Sequence, residues 1–478
     1  MIVGELRHGQ LTILDRLRET VRLSEGLTST GSLTAPAKAR ALETLARFGE
    51  RLRDMHASRV RTAGTSTLRR ASDSAEFRRE AEQALGHPIE VISGIEEARL
   101  IYNGVTHSMP RNDGLRLVLD IGGGSTELIL GQGATPRALE SLSMGCVVMT
   151  EGCFPEGRIT HEGFEEARMA ARLRLRPVKA FFRDATGIEA IGTSGTIIAS
   201  ELAARKLGII ESHDLSPAAV EKLIERVLEF DSVSELTLSG VSERRAQVWP
   251  GGLAILIELL EVLRIESVKI SYGALREGLL YDLLGRLRHE DARARSVEAM
   301  MRRYHVDEAQ AMRVSETALQ LLELCAEDWG LQSDLARNLL RWSAALHEIG
   351  LDISHDGFHH HGAYVVENAD LPGFPRVEQK ILAYLIANQR HRVKLEYGND
   401  LPNNWLQPTL RLSLLLRLAV LLNRSRSLVL PQLRLFTEPH ALKLTFPHGW
   451  LDDNPLTVAD LKREKAYVRE VDYQLSFE

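Results

Sequence analysis

Apolar positions in the first ~285 residues switch between a period of two and a period near 3.6, which predicts strands alternating with helices. The pattern predicts a hairpin-like pair, Ile2–Leu6 and Leu11–Asp15, turning at His8-Gly9, then an extended Glu19–Leu23. Pro36 sits where a first helical turn tolerates it, and helical periodicity follows over Lys38–Met55. Strand Val60–Gly64, helix Ser74–Leu85, strand Ile89–Ser93 and helix Glu96–Val105 complete this stretch. The order then recurs. Strands Leu115–Ile121, Ser125–Gly131 and Arg137–Ser143 precede a helical stretch over Glu162–Arg183, broken near Pro177. Strand Ile188–Ile191, a helix from Gly195, helices through Leu263, strand Val268–Ile270 and helix Ala274–Leu284 follow. Two copies of one α/β unit with glycine-rich strand ends predict a cleft between two lobes.

Beyond Arg286–Arg295, a solvated linker or an exposed helix, the pattern becomes helical: Val314–Glu327, Ser333–Leu346, Val377–Leu385 and Leu410–Leu422. Strands Leu433–Thr437 and Ala441–Phe446, helix Thr457–Glu464 and strand Asp472–Phe477 end the chain. The expected organisation is a first lobe at 1–107, a second at 108–286, a helical domain at 295–426 and a small α/β cap at 427–478.

Composition narrows the function. A chain of 478 residues with net charge −6 has no global basic field for nucleic acid, so a polyanionic substrate would need a local basic channel. Cys146, Cys153 and Cys325 have neither disulfide-framework nor zinc-ligand spacing. No apolar run approaches a membrane span and no secretory leader is visible at Met1, so the expected compartment is the cytoplasm.

Asp120-Ile-Gly-Gly-Gly-Ser-Thr-Glu127 is the sharpest motif. Three glycines after a buried strand let backbone amides approach a phosphate, while Asp120 and Glu127 supply hard oxygens suited to Mg²⁺. The alternative is a glycine-rich hairpin with two solvated acids. Ser93-Gly-Ile-Glu-Glu-Ala-Arg99 starts a helix with acids in its first turn, itself a common arrangement. Spacing separates the two acids: Glu97 shares a stripe with Ile101 and Val105, and Glu96 lines up with Leu100 and the polar side. A carboxylate bordering an apolar stripe and facing a cleft suits a general base. Gly64-Thr-Ser-Thr-Leu-Arg69 offers hydroxyls and a guanidinium to phosphate oxygens, with an ordinary turn as the equal alternative. Gly192-Thr-Ser-Gly-Thr196 and Ser271-Tyr-Gly-Ala-Leu-Arg-Glu-Gly278 join strands to helix N-termini and are possible anion contacts.

Taken together, Ser93-Gly-Ile-Glu-Glu-Ala-Arg-Leu-Ile, Asp120-Ile-Gly-Gly-Gly-Ser-Thr-Glu-Leu, Ser143-Met-Gly-Cys, Gly195-Thr and Ala274-Leu-Arg-Glu-Gly resemble the exopolyphosphatase / guanosine pentaphosphate phosphohydrolase family, with bacterial exopolyphosphatase as the nearer likeness. The resemblance extends over essentially the whole chain. It implies a two-lobed core like that of actin and the sugar kinases, and a homodimer. It also implies Glu97 as catalytic base, Asp120 and Glu127 as Mg²⁺ ligands, Gly122, Gly123, Gly124 and Ser125 as a phosphate loop, and Arg69, Gly195 and Thr196 as phosphate contacts. Family members normally begin with an Asp-x-Gly-Ser-Asn-Ser loop. The first lobe here lacks the strand and glycine turn that open the second, so the expectation is a start downstream of that loop. The helical region resembles metal-dependent phosphohydrolase domains named for a His-Asp pair. Here the pair reads His347-Glu348, and Leu418-Ala-Val-Leu-Leu422 lacks the later aspartate, so a non-catalytic domain is expected.

The expected reaction is Mg²⁺-dependent release of terminal orthophosphate from inorganic polyphosphate. Guanosine pentaphosphate hydrolysis to the tetraphosphate is the alternative within the class. A sugar-kinase-like phosphotransferase and a non-catalytic binder of polyphosphate or guanosine tetraphosphate are the alternatives outside it. The basic Arg286-Leu-Arg-His289 stretch favours polyphosphate. His355, His359, His360 and His361 are candidates for metal ligands or, more simply, helix-cap and interface histidines; with Arg390, His391, Arg392 and Lys394 they are alternatively a local basic surface or an ordinary solvated face.

Overall fold

Leu115–Ile121 lies at the centre of a five-stranded sheet, ordered Thr135–Leu142, Thr126–Gln132, Leu115–Ile121, Glu189–Thr193, Lys269–Ile270. The first three strands form an antiparallel meander, and the last two run parallel to Leu115–Ile121. The structure is a computed structural model that describes residues 1–478 apart from 8–9, 20, 29, 111, 183–187, 288–290 and 427–430. It divides into two units, Met1–Glu290 and Asp291–Glu478.

Both faces of the sheet are covered, and the alternation of side chains assigns each residue to a face. Leu117, Leu119, Ile121 and Leu128 join a core with Phe164 and with Trp249–Leu263, a helix apolar all round and accordingly buried. Its Glu258, also fully buried, is held by Arg168 at 2.9 Å and Arg172 at 2.8 Å. Val118 and Ile129 turn the other way, against Ala98, Ile101, Tyr102 and Val105 of the helix Gly94–Ser108. Period two then carries Asp120 and Glu127 to that same helix-covered side.

The first lobe has its own core around Leu33, Phe77, Leu85 and Ile89, between the helices Ala35–Leu52 and Ser74–Leu85. Its strands do not form one sheet. Ile2–Arg7 pairs antiparallel with Gln10–Arg16, and the predicted turn at His8-Gly9 lies outside the described residues. The strands expected at 60–64 and 89–93 reduce to Ala63–Gly64 and Glu90–Val91, paired in parallel. Arg61 leaves that ladder because its side chain, 2% exposed, turns into a buried ion network. The extended segment expected at 19–23 forms no strand among the described residues; Leu23–Gly26 is a 3₁₀ turn.

Two helices, Gly94–Ser108 and Leu275–Leu287, cross at close range. A Cβ on Gly104 would collide with the Ala274 carbonyl, and one on Gly278 with the Leu100 carbonyl. The glycine of Ala274-Leu-Arg-Glu-Gly278 therefore serves this approach.

The second unit has one core, shared by its helices and its terminal α/β segment. Leu340, Trp342, Leu382 and Leu415 lie in the same cluster as Leu435, Leu444, Leu461 and Tyr473. Strands Arg434–Glu438, Ala441–Thr445 and Gln474–Phe477 form a three-stranded sheet beside the helix Pro455–Arg469. Asn403–Leu422 is long and apolar enough to cross a membrane by length and composition, yet Leu412 and Leu414–Leu416 are buried in this core. Its Arg417, also buried, donates to both Glu464 oxygens and to the His391 carbonyl. Two helices, Ala292–Arg303 and the histidine-rich Phe358–Asn368, were not apparent from periodicity.

Candidate active site

Asp120 ends the central strand, and Glu127 lies opposite it on the return strand. Glu127 in turn faces Ser141 across the next pairing, and Ser141 Oγ donates to Glu127 Oε1 at 2.8 Å. The helix carrying Glu97 starts against the same serine, where a Cβ on Gly94 would strike Ser141. Ser93 caps that start by accepting the Glu96 amide on its Oγ at 3.1 Å. Glu97 continues the stripe of Ile101 and Val105 that packs on the sheet. Local packing thus gathers Glu97, Asp120 and Glu127, all buried, on one side of the sheet.

All three acids are raised above the ordinary carboxylate range, each chiefly by burial. Burial pushes Asp120 up to about 7, and the neighbouring Glu97 adds to this. Burial, then Glu97 and Asp120, lift Glu127 well above the usual carboxylate range, against opposing hydrogen bonds from Ser125 and Ser141. Burial also raises Glu97, although the Arg69 guanidinium opposes it. Arg69 Nη1 donates to Glu97 Oε2 at 2.9 Å and to the Ile92 carbonyl at 2.9 Å. Among the described residues it is the only cation within ion-pair distance of the three acids. Buried acids so weakly compensated, with the Asp120 carboxylate accepting no hydrogen bond among the described residues, fit a divalent cation. No three His, Cys, Asp or Glu among the described residues form a ready-made metal cage. Mg²⁺, which keeps several waters and takes one or two carboxylates, needs none.

The glycine loop is held from behind. The Gly122 amide donates to the Ser125 carbonyl at 2.9 Å, so it is not free for phosphate. The Gly122 and Gly123 carbonyls accept from Cys146 (2.9 Å) and Val147 (3.0 Å) at the start of the helix Cys146–Cys153. A Cβ on Gly145 would collide with Gly123, which explains Ser143-Met-Gly-Cys. The amides of Gly123, Gly124 and Ser125 have no acceptor among the described residues. Across from them stand Ser66 and Arg70 of the first lobe, the nearest side chains to a Cβ placed on Gly124.

A cleft of about 940 Å³ opens over this loop, lined by Arg18, Arg22, Arg244, Arg245 and Arg276 as well as Gly122, Gly123 and Gly195. The local basic channel that net charge could not supply is here. Arg245 packs over Gly195 and donates to Thr196 Oγ1 at 3.4 Å. Thr196 is fully buried, so an anion in the cleft meets Arg245 before it meets Thr196. Ser194 closes the turn at a φ of 82°, costly for a non-glycine residue, and its Oγ accepts the Ile121 amide at 3.3 Å.

Arg276 and Tyr272, from the motif Ser271–Gly278, line the cleft as the sequence suggested, whereas Arg18, Arg22, Arg244 and Arg245 were missed because they come from segments distant along the chain. Sequence reasoning also misplaced Glu96. Far from facing solvent, Glu96 is fully buried and takes both Arg99 (2.7 and 2.8 Å) and Arg61 (3.4 Å). Of the basic stretch Arg286-Leu-Arg-His289, the structure describes the pairing of Arg286. Arg286 pairs with Asp282 at 3.1 Å and Glu90 at 3.5 Å, and 288–290 lie outside the described residues. In the second unit, His347 Nδ1 meets the Ala344 carbonyl at 2.7 Å, while Glu348 accepts Arg426 at 2.8 and 3.0 Å. His359 is buried and held neutral, down to about 3, by burial and then by His360, His391, Arg390 and Lys394.

The class this fold and site define is that of two-lobed hydrolases of phosphoanhydride bonds. Comparison with known proteins gives the family within that class. Residues 2–287 match the Ppx/GppA phosphatase family and residues 292–465 its domain III, so the chain belongs to the Ppx/GppA phosphatase family. It is 37% identical over 465 residues to the guanosine-5'-triphosphate,3'-diphosphate pyrophosphatase of Aeromonas hydrophila, covering 97% of this chain and 93% of that one. An exopolyphosphatase from Cytophaga hutchinsonii is similar in fold, with a TM-score of 0.54 and 23% identity over 59% of this chain and 93% of its own. An exopolyphosphatase-like protein gives 0.52 at 26% identity, over 58% and 94%. The nearer likeness expected to exopolyphosphatase is less well supported than the guanosine pentaphosphate alternative.

Proposed function

We propose that this chain hydrolyses the terminal phosphoanhydride of guanosine pentaphosphate, giving the tetraphosphate and orthophosphate. The observation that carries the chemistry is the convergence of three buried carboxylates on a loop with free amides. The substrate reading rests on the near full-length similarity to the Aeromonas hydrophila pyrophosphatase. Room in the cleft for a nucleotide bearing a triphosphate and a diphosphate chain supports it.

In this reading Arg69 holds Glu97 by Oε2, leaving Oε1, which takes no protein donor among the described residues, for a water. That water attacks the terminal phosphorus as Glu97 takes its proton. The bond to the bridging oxygen breaks, and the tetraphosphate leaves. A carboxyl raised toward working pH by burial is a better base than a solvated one. The amides of Gly123, Gly124 and Ser125 hold the oxygens of the transferred group, facing Ser66 and Arg70. Asp120 and Glu127 would hold Mg²⁺, which supplies neutralisation of phosphate charge. The second reading, polyphosphate as substrate, is favoured by the row of cleft arginines, which suits a longer polyanion.

Orthophosphate release measured side by side decides between them. The pentaphosphate reading requires the higher kcat/KM on guanosine pentaphosphate; a tenfold preference for polyphosphate would reverse it. Glu97→Gln should lower kcat by about 10²–10⁴ with substrate Kd little changed. Wild-type turnover in that variant would remove Glu97 as base.

A further inference from the structure

Beside Glu97, on the flank of the helix turned away from the acids, lies a buried ion network. Arg99 grips both oxygens of Glu96, at 2.7 and 2.8 Å, and also donates to Asp282 Oδ1. Arg61 donates to the other Asp282 oxygen, to Glu96 at 3.4 Å and to Glu90 at 3.1 Å. Arg286 reaches Asp282 at 3.1 Å and Glu90 at 3.5 Å. The cations Arg61, Arg99 and Arg286 balance the anions Glu90, Glu96 and Asp282. The side chains of Arg61, Glu96 and Asp282 are 2%, 0% and 6% exposed.

The network joins segments distant in sequence. Arg61 precedes the short strand leading to the Arg69 turn, and Glu90 lies on the strand beside it. Glu96 and Arg99 belong to the first turns of the Glu97 helix, and Asp282 and Arg286 to the helix that crosses it at Gly104 and Gly278. Glu96 and Glu97 are adjacent, so a rotation of this first turn that released Glu96 would also re-aim Glu97. Holding a reacting group within a fraction of an ångström is worth orders of magnitude in rate, and a buried carboxylate gripped by two guanidinia is a rigid way to hold it.

We propose that Asp282 is a positioning residue for the reaction. Through Arg99 and Arg61 it fixes the first turn of the helix Gly94–Ser108, and through that turn the aim of Glu97 at the attacking water. This rests on the reading of Glu97 as base. The contacts of Asp282 among the described residues are to Arg99, Arg61 and Arg286, none of which lines the cleft, so its loss should act on kcat and leave binding alone.

The test is a double-mutant cycle on the full chain with guanosine pentaphosphate and polyphosphate as substrates, with folding checked by thermal melts. Asp282→Asn should lower kcat about 10- to 100-fold with KM within about threefold. In a Glu97→Gln background the same substitution should cost less than threefold, because the group it aims is already gone. Arg99→Lys keeps the charge and loses the bidentate grip; it should give the same kcat loss and the same non-additivity, and it serves if Asp282→Asn does not fold. Equal losses with and without Glu97, or a loss confined to KM, would overturn the proposal. If Glu97→Gln alone keeps full activity, the base reading fails instead, and the two failures are told apart by that single variant.

Discussion

Replacing Asp120 with asparagine should stabilise the metal-free protein at neutral pH while removing turnover. Asp120 is buried and its pKa stands at about 7 against an ordinary 3.8. A carboxyl whose folded-state pKa is raised binds its proton more tightly when folded. Its contribution is therefore neutral below pH 3.8, grows unfavourable as pH climbs from 3.8 to about 7, and levels off above that. At 1.36 kcal/mol for each tenfold change in proton affinity, the rise from 3.8 to about 7 corresponds to on the order of 4 kcal/mol at neutral pH. Asparagine removes that cost and relieves Glu127, but buries an amide with no ready partner, at about 1–3 kcal/mol. The expected net gain is roughly 1–3 kcal/mol. Urea unfolding with chelator present, at pH 5 and pH 7.5, reads it directly: the variant should exceed wild type at pH 7.5, and the gap should shrink at pH 5. Saturating Mg²⁺ should restore wild type and leave the variant nearly unmoved. A variant less stable than wild type at pH 7.5 without divalent ions would refute the idea that the site carries uncompensated buried charge.

Glu127→Gln should raise the Mg²⁺ concentration needed for half-maximal turnover, since it removes a hard anionic ligand or an anchor for its waters; an unchanged Mg²⁺ titration would take Glu127 out of the metal site. Glu464→Gln should destabilise the second unit by about 3–5 kcal/mol, because it strips the partner from the buried Arg417; a denaturant midpoint equal to wild type would contradict this. His347→Ala should leave phosphate release per folded molecule unchanged, as one ring nitrogen meets a backbone carbonyl and the neighbouring Glu348 is taken by Arg426. Loss of turnover in a folded His347→Ala protein would mean that the helical domain takes part in catalysis.

Period and punctuation made much of the fold legible. Leu115–Ile121 and Ser74–Leu85 take the boundaries their patterns predict, because a buried apolar run and an uninterrupted helical stripe are local signals. Pro177 parts two helices, His161–Leu175 and Lys179–Phe182, for the reason proline always gives: it has no amide to donate. The short strands of the first lobe were over-read because Arg61 follows tertiary charge pairing, which no window of sequence reports. Glu96 shows the same limit. Its helical position was right, but its surroundings depend on Asp282, which is remote in sequence. The acids Glu97, Asp120 and Glu127 were named from motif and stripe, whereas their common side of the sheet followed only from knowing which face the helix Gly94–Ser108 covers.

Charge pairing separates two kinds of arginine in this chain. Arg61, Arg99, Arg116 and Arg417 are deep and each is tied to a carboxylate, so they hold the fold. Arg18, Arg244, Arg245 and Arg276 line the cleft, and Arg70 stands opposite Gly124; none has a carboxylate within ion-pair range among the described residues. Glu19 and Glu25 also line the cleft, but Glu25 is taken by Arg22, and the remaining guanidinia repel one another, which is tolerable where water or a polyanion screens them. A net charge of −6 spread over the rest of the chain does little against this field, because exposed charges are screened beyond about 8–10 Å in physiological salt. An acidic chain can thus still draw a phosphate-rich substrate to one place. The same concentration of positive charge compensates the like-charged carboxylates Glu97, Asp120 and Glu127 only in part, since Arg69 alone reaches them. The remaining negative potential at the reacting end and the positive one along the cleft would orient a phosphate chain with its bulk among the arginines and its terminal group at the acids, where a divalent cation would complete the balance.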